Sequence, residues 1–261
     1  MATYLDRILE HHRARAAADD RRTDRLIEQA HGPGSTRGFA AALRDGPTLR
    51  VISEIKRRSP SKGDLAPGLD PAGLAVTYAS AGASALSVLT DEEHFGGSPG
   101  DLIAARGAVD LPVLRKDFTV CANDVLDARI MGADAVLLIV AALDDVVLAD
   151  LDALAAQLGM DVLVEVHDEA ELERALAVTR GNLVGVNQRD LNTFAVDQQR
   201  AVRMAAAMPP GVVSVAESGV RGRDDAVALA RAGYDAVLVG EHLVTSVDVA
   251  GTLTELLVPR G

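Results

Sequence analysis

Eight short runs of aliphatic residues punctuate the chain: Leu49–Ile55, Ala85–Leu89, Pro112–Leu114, Ala135–Val140, Val162–Val166, Leu183–Val186, Val212–Ala216 and Ala236–Val239. Each is too short for a helix and stays largely apolar from one residue to the next. That is the pattern of a strand covered on both faces. The stretches between them carry helical spacing. Leu172, Ala175 and Leu176 fall at i, i+3 and i+4, and Val227 and Ala230 repeat the three-residue step. Buried strands alternating with amphipathic helices describe a parallel sheet.

A sequence echo supports the repeat. Gly132-Ala-Asp-Ala-Val-Leu137 recurs as Gly233-Tyr-Asp-Ala-Val-Leu238 and, more loosely, as Gly82-Ala-Ser-Ala-Leu86. In each copy glycine should end a helix in the left-handed conformation and a short loop should enter the next strand. Eight βα units in about 210 residues match a closed (β/α)8 barrel, the TIM-barrel class. No Gly-x-Gly-x-x-Gly follows the first run, which argues against a doubly wound nucleotide-binding sheet. Residues 1–48 precede the first strand and are expected to form a helical extension covering one mouth or side of a barrel at 49–261. Thr3 should cap a helix with Asp6 three residues on and Leu5, Ile8 and Leu9 on one face. The helix is expected to run to about Ala30, before the breakers Gly32-Pro33-Gly34-Ser35, with a turn at Asp45-Gly46-Pro47.

In such barrels chemistry gathers at the C-terminal ends of the strands. Those ends read Glu54-Ile55-Lys56, Leu114-Arg115-Lys116, Glu165-Val166-His167, Asn187-Gln188-Arg189, Glu217-Ser218-Gly219 and Gly240-Glu241. Alternation along a strand puts Glu54 with Lys56, Leu114 with Lys116, Leu163 with Glu165 and Asn187 with Arg189 on common faces. If those faces point inward, one mouth collects Glu54, Lys56, Lys116, Glu165, Asn187 and Glu217. His167 reads as an ordinary loop histidine. The small residues of Glu217-Ser218-Gly219 and Gly240-Glu241 stand in the seventh and eighth loops, where this fold usually holds phosphate.

Composition narrows the field. The 261 residues carry a formal charge of −12, which disfavours nucleic acid as a partner. The longest apolar run, Ala135–Leu143, is far short of the roughly 18 residues of a membrane span. No apolar signal segment follows Met1. The single Cys121 fits a reducing compartment, and a cytoplasmic location is expected. The 26 basic residues include only three lysines, Lys56, Lys62 and Lys116. A chain that otherwise uses arginine has reason to keep an amine where a proton must leave. At Lys116 a neighbouring cation, Lys56, and partial desolvation are expected to lower the amine's pKa, with a nearby carboxylate opposing them. The six histidines show no metal-ligand spacing, and neither a Gly-x-Ser-x-Gly elbow nor a phosphate-binding P-loop is present. No metal, no cofactor and no obligatory protein partner are expected.

These residues resemble the indole-3-glycerol-phosphate synthase family of tryptophan biosynthesis. The carrying segments are Ser53-Glu-Ile-Lys-Arg-Arg-Ser-Pro-Ser-Lys62, His94-Phe-Gly-Gly-Ser98, Leu114-Arg-Lys-Asp-Phe118, Gly132–Ile139, Leu163-Val-Glu-Val-His167, Gly185-Val-Asn-Gln-Arg-Asp-Leu191 and Ala216-Glu-Ser-Gly219. The resemblance implies a cofactor-free lyase acting on 1-(2-carboxyphenylamino)-1-deoxyribulose 5-phosphate by ring closure, decarboxylation and dehydration. It implies Lys116 as the acid of ring closure and Glu165 and Lys56 as the proton-transfer groups of dehydration. Glu54 and Asn187 would orient Lys56 and the substrate hydroxyls. Phe118, with Arg189 and Leu191 beside it, would receive the anthranilate ring. Ser59, Ser218, Gly219, Gly240 and Glu241 would hold phosphate, Glu241 through its main-chain N–H, with Glu217 alongside. Two positions depart from the commonest pattern: Gln188, where Asn is frequent, and Cys121-Ala122-Asn123, which replaces Asp-Pro-Tyr. A phosphoribosylanthranilate isomerase is an alternative, but it would need a cysteine on the first strand. A catalytically silent barrel would need apolar replacements at strand ends that remain ionisable here.

Overall fold

The structure is a computed structural model that describes residues 3–44, 46–190 and 193–260. Asp45 of the expected turn and Leu191 of the expected site lie outside these residues. Eight parallel strands close into a barrel in chain order: β1 (Arg50–Ile55), β2 (Ala85–Leu89), β3 (Val113–Lys116), β4 (Ala135–Ile139), β5 (Asp161–Val166), β6 (Leu183–Asn187), β7 (Val213–Glu217) and β8 (Ala236–Val239). β8 returns to β1 with Ala236 opposite Arg50 and Val239 opposite Ser53, so no edge is left open. The aliphatic runs thus mark all eight strands. Three strands run further than the apolar pattern, to Lys116, Asn187 and Glu217. These polar residues therefore sit on ladder-paired backbone instead of loose loop.

The repeated Gly-x-Asp segment has the geometry expected of it. Gly82, Gly132 and Gly233 take φ of 97°, 91° and 102°, conformations that a side chain would strain. The aspartates of the two closer copies then do equivalent work. Asp134 Oδ2 accepts the Val113 N–H, and Asp235 Oδ2 accepts the Ser214 N–H, both at 2.8 Å. Each carboxylate thereby satisfies a strand-start amide at the barrel's lower rim.

The N-terminal segment differs from expectation in one respect. Thr3 does cap a helix, in a capping box with Asp6, and Leu5, Ile8, Leu9 and His12 form its buried face. That helix, α1 (Tyr4–Ala17), stops thirteen residues short of Ala30, and a second, α2 (Thr23–Ala30), follows. The break is polar. The Asp19 carboxylate takes the Arg21 N–H and guanidinium and the Asn123 amide, while Arg21 also pairs with Asp127. Such side-chain bonds to nearby backbone compete with helical ones. A third helix, α3 (Phe39–Arg44), packs Phe39 and Leu43 into the barrel core. α1 crosses the C-terminal mouth and contributes Tyr4, Leu5 and Ile8 to its wall.

Candidate active site

The mouth encloses a cavity of about 660 Å³. Thirteen of the sequence-derived site residues line it: Glu54, Lys56, Ser59, Lys116, Phe118, Glu165, Asn187, Arg189, Glu217, Ser218, Gly219, Gly240 and Glu241. Lys62 completes the set of lysines, so all three lysines of the chain face this one cavity.

At its floor Lys116 Nζ donates to Glu165 Oε2 at 3.0 Å and to Glu217 Oε2 at 2.8 Å. Glu165 Oε1 accepts the Asn187 amide at 3.0 Å. Both carboxylates are buried. Burial acts to lower the Lys116 pKa, but the charges of Glu165, Glu217 and Glu54 outweigh it and lift the amine above an ordinary lysine. This reverses the sequence expectation of a lowered value. That expectation placed Lys56 as a like charge beside Lys116, whereas Lys56 Nζ is paired with Glu54 Oε1.

The two carboxylates part company. Burial would raise Glu165, but Lys116, His167 and the Asn187 amide hold it below the carboxylate range. Burial raises Glu217; Lys116 opposes this and the charge of Glu165 reinforces it, leaving Glu217 above that range. Two ammonium groups against three carboxylates leave one excess negative charge in a largely buried cluster, and a proton on Glu217 would remove it. Glu217 Oε1 is buried without a hydrogen-bond partner among the described residues. Room for it exists because residue 185 is glycine: a Cβ there would collide with that oxygen. Gly185 is a feature that strand pattern alone does not disclose.

Gly240 has a second reason to lack a side chain. A Cβ there would collide with the Glu54 carboxylate, so the glycine shapes the Lys56–Glu54 pair as well as the eighth loop. Glu241 turns its side chain to Lys62 and so away from acting as a free anion. Ser218 and Gly219 take consecutive positive φ values of 64° and 77°. For serine this is a strained conformation, and it is braced: Gln188 Nε2 donates to the Ser218 carbonyl at 2.8 Å and Gln198 Nε2 to the Gly219 carbonyl at 2.7 Å. Gln188 is one of the two departures noted above, and its extra methylene reaches this carbonyl. The Ser59 hydroxyl is buried at the cavity wall with no partner among the described residues.

Aromatic side chains form the opposite wall. Phe118 lies 6.4 Å from Phe95, centroid to centroid. Tyr4 of α1 meets Phe194 edge-on at 4.9 Å, bridging helix and sixth loop. The Arg189 guanidinium donates to the Phe194 carbonyl at 3.2 Å. Sequence reasoning missed Tyr4, Phe95 and Phe194, because no strand-end rule reaches an N-terminal helix or a loop tip. His167 is less ordinary than its sequence context suggests. Nδ1 is 3.0 Å from Glu171 Oε2 and Nε2 is 3.5 Å from Glu165 Oε1. Burial lowers its pKa, but Glu171 and Glu165 outweigh burial and raise it.

An ammonium clasped by two carboxylates at the strand ends of a (β/α)8 barrel, beside an apolar-walled cavity, defines an acid–base enzyme of small-molecule chemistry. Residues 5–256 match the family model described as indole-3-glycerol phosphate synthase. The chain is 51% identical to the indole-3-glycerol phosphate synthase of a Parafrankia species over 255 residues, covering 97% of this chain and 94% of that protein. It is 49% identical to the synthase of Mycolicibacterium smegmatis over 258 residues, covering 98% and 94%. Among solved structures, 3-hexulose-6-phosphate synthase superposes with a TM-score of 0.62 at 17% identity, covering 80% of this chain and 98% of that one, a likeness of fold alone. The chain belongs to the indole-3-glycerol phosphate synthase family.

Proposed function

We propose that the mouth converts 1-(2-carboxyphenylamino)-1-deoxyribulose 5-phosphate to indole-3-glycerol phosphate, with Lys116 as the acid of ring closure. The family activity is that of a carboxy-lyase in tryptophan biosynthesis. The observation that carries the assignment of roles is the placement of Lys116 between Glu165 and Glu217. Attack of the aromatic carbon on the ribulose carbonyl develops negative charge on its oxygen. An ammonium already in its acid form can donate as that oxygen becomes strongly basic. Loss of carbon dioxide follows, and dehydration needs an acid for the departing hydroxyl and a base for the last ring proton. Glu165 and Lys56 take these two roles, with Asn187 orienting Glu165 and Glu54 orienting Lys56.

Phe118 and Phe95 offer the anthranilate ring an apolar wall, with Arg189 beside it. Ser59, Ser218, Gly219, Gly240 and the Glu241 N–H receive the phosphate. Residues 1–48 and the barrel at 49–261 act as one catalytic unit, and the reaction needs no cofactor and no protein partner. Among the described residues no helix is long and apolar enough to cross a membrane. The direct test is the appearance of indole fluorescence from the carboxyphenylamino substrate, together with complementation of a tryptophan auxotroph. Absence of both with folded protein would overturn the reading.

Two further outcomes are expected. Inorganic phosphate should compete with substrate, and Gly219→Val should raise KM by about tenfold or more with a smaller effect on kcat. Valine resists a positive φ, and its Cβ would strike Val196. An unchanged KM would place the anion elsewhere. Exhaustive chelation should leave turnover intact, because the proton transfers run between side chains already in place. Activity that collapses and returns with a divalent ion would refute this.

A further inference from the structure

His12 is a histidine on the apolar face of α1, one turn beyond Ile8, and it is fully buried. Its Nε2 lies 2.8 Å from Asp91 Oδ2. The same oxygen lies 3.1 Å from His94 Nδ1. Asp91 caps the short helix Glu92–Phe95 through its other oxygen, which accepts the His94 N–H at 2.6 Å and the Phe95 N–H at 3.2 Å. That cap fixes the carboxylate and turns Oδ2 toward the two imidazoles. Asp91 and His94 stand three residues apart, on one face of their turn. The three ligand-type atoms all lie within 4.8 Å of one another. A tetrahedral zinc-type centre places neighbouring ligand atoms about 3.3 Å apart, close to the 2.8 Å and 3.1 Å that separate the Asp91 oxygen from the two rings.

We propose that His12, Asp91 and His94 form a divalent transition-metal site of the zinc class that pins α1 to the rim of the barrel. Asp91 Oδ2 is the atom on which the two rings converge. His12 Nδ1 is buried with no partner among the described residues, and one carboxylate oxygen serves both rings. The surroundings favour a cation. Asp117 Oδ1 lies 3.9 Å from His12 Nε2, and Glu93 sits 3.0 Å from the neighbouring His11. The buried Arg115 guanidinium is engaged with Asp117. Two imidazoles and one carboxylate suit Zn2+ or Co2+ better than a hard ion such as Mg2+. The ion takes no part in the reaction. It would tie α1, which carries Tyr4, Leu5 and Ile8, to the loop that carries Phe95 on the cavity wall.

The test titrates metal-free, full-length protein with Co2+ and reads its visible d–d absorption. One equivalent should bind and be displaced by Zn2+. His94→Asn, at a side chain with 14% exposure, should weaken binding by about tenfold or more with the circular-dichroism spectrum unchanged. His12→Gln should do the same. Zn2+ should raise Tm in the parent protein and leave it unchanged in His94→Asn. The absence of a stoichiometric Co2+ spectrum, or one of equal strength in His94→Asn, would overturn the proposal and leave the trio as a hydrogen-bonded clamp.

Discussion

Lys116→Arg should cut kcat by about 10²–10⁴ while leaving KM within roughly a few-fold, a loss of about 3–5 kcal/mol in the barrier. Arginine keeps the positive charge that Glu165 and Glu217 require, so the buried site is not left with unpaired carboxylates. In the same surroundings arginine is a still weaker acid than lysine, and its rigid planar guanidinium cannot be aimed at the reacting oxygen as a rotatable ammonium can. The carboxylates hold Lys116 protonated well into the alkaline range. The wild-type profile should therefore show no basic limb from this amine between about pH 5.5 and 9, and the mutant deficit should be uniform across that range. Steady-state kinetics on both proteins decide it. A mutant keeping more than about a tenth of kcat would make Lys116 a fixed charge only and move the acid to Lys56.

Glu165→Gln should also lower kcat by about 10²–10⁴, with KM changing little, since the amide cannot take or give the proton of dehydration. It carries a second, independent consequence. Glu217 stands above the carboxylate range partly because Glu165 is ionised beside it, with Glu54 adding to the effect. Removing the Glu165 charge should lower the Glu217 pKa, as the repulsion disappears and Lys116 is left with Glu217 as its close partner. Difference infrared spectroscopy of the buried carboxyl band should follow this, the protonated form disappearing at lower pH in the mutant. A band that does not move would mean that the Glu165 charge does not contribute to the Glu217 shift. Full kcat in Glu165→Gln would remove Glu165 from the chemistry and leave dehydration to Lys56.

Much of this site was legible as a list of residues before it was legible as a place. Strand ends in a parallel barrel must converge on one mouth, so Glu54, Lys116, Glu165, Asn187 and Glu217 follow from eight apolar runs and the residue that ends or closely follows each. The scarcity of lysine pointed the same way, and all three lysines do line the cavity. Pairing was not legible. The spacing that sets Glu54 beside Lys56 is local, but the partners of Lys116 come from β5 and β7, 49 and 101 residues away. The direction of its pKa shift depends on those partners. The split of the expected helix at residues 18–22 was hidden as well, because it rests on Asn123 and Asp127 across the surface.

The architecture, the mouth and the chemical cast follow from the order of residues alone. Periodicity, left-handed glycines and strand-end polarity are local properties, and closing eight strands allows few other arrangements. Folding had to bring remote segments together before it was settled which carboxylate holds which amine, that Gly185 and Gly240 leave room for Glu217 and Glu54, and that His12 of α1 meets Asp91 and His94 at the rim. Charge state and ligand geometry vary steeply with distances of a few ångströms, and such distances between remote segments exist only once the chain has folded.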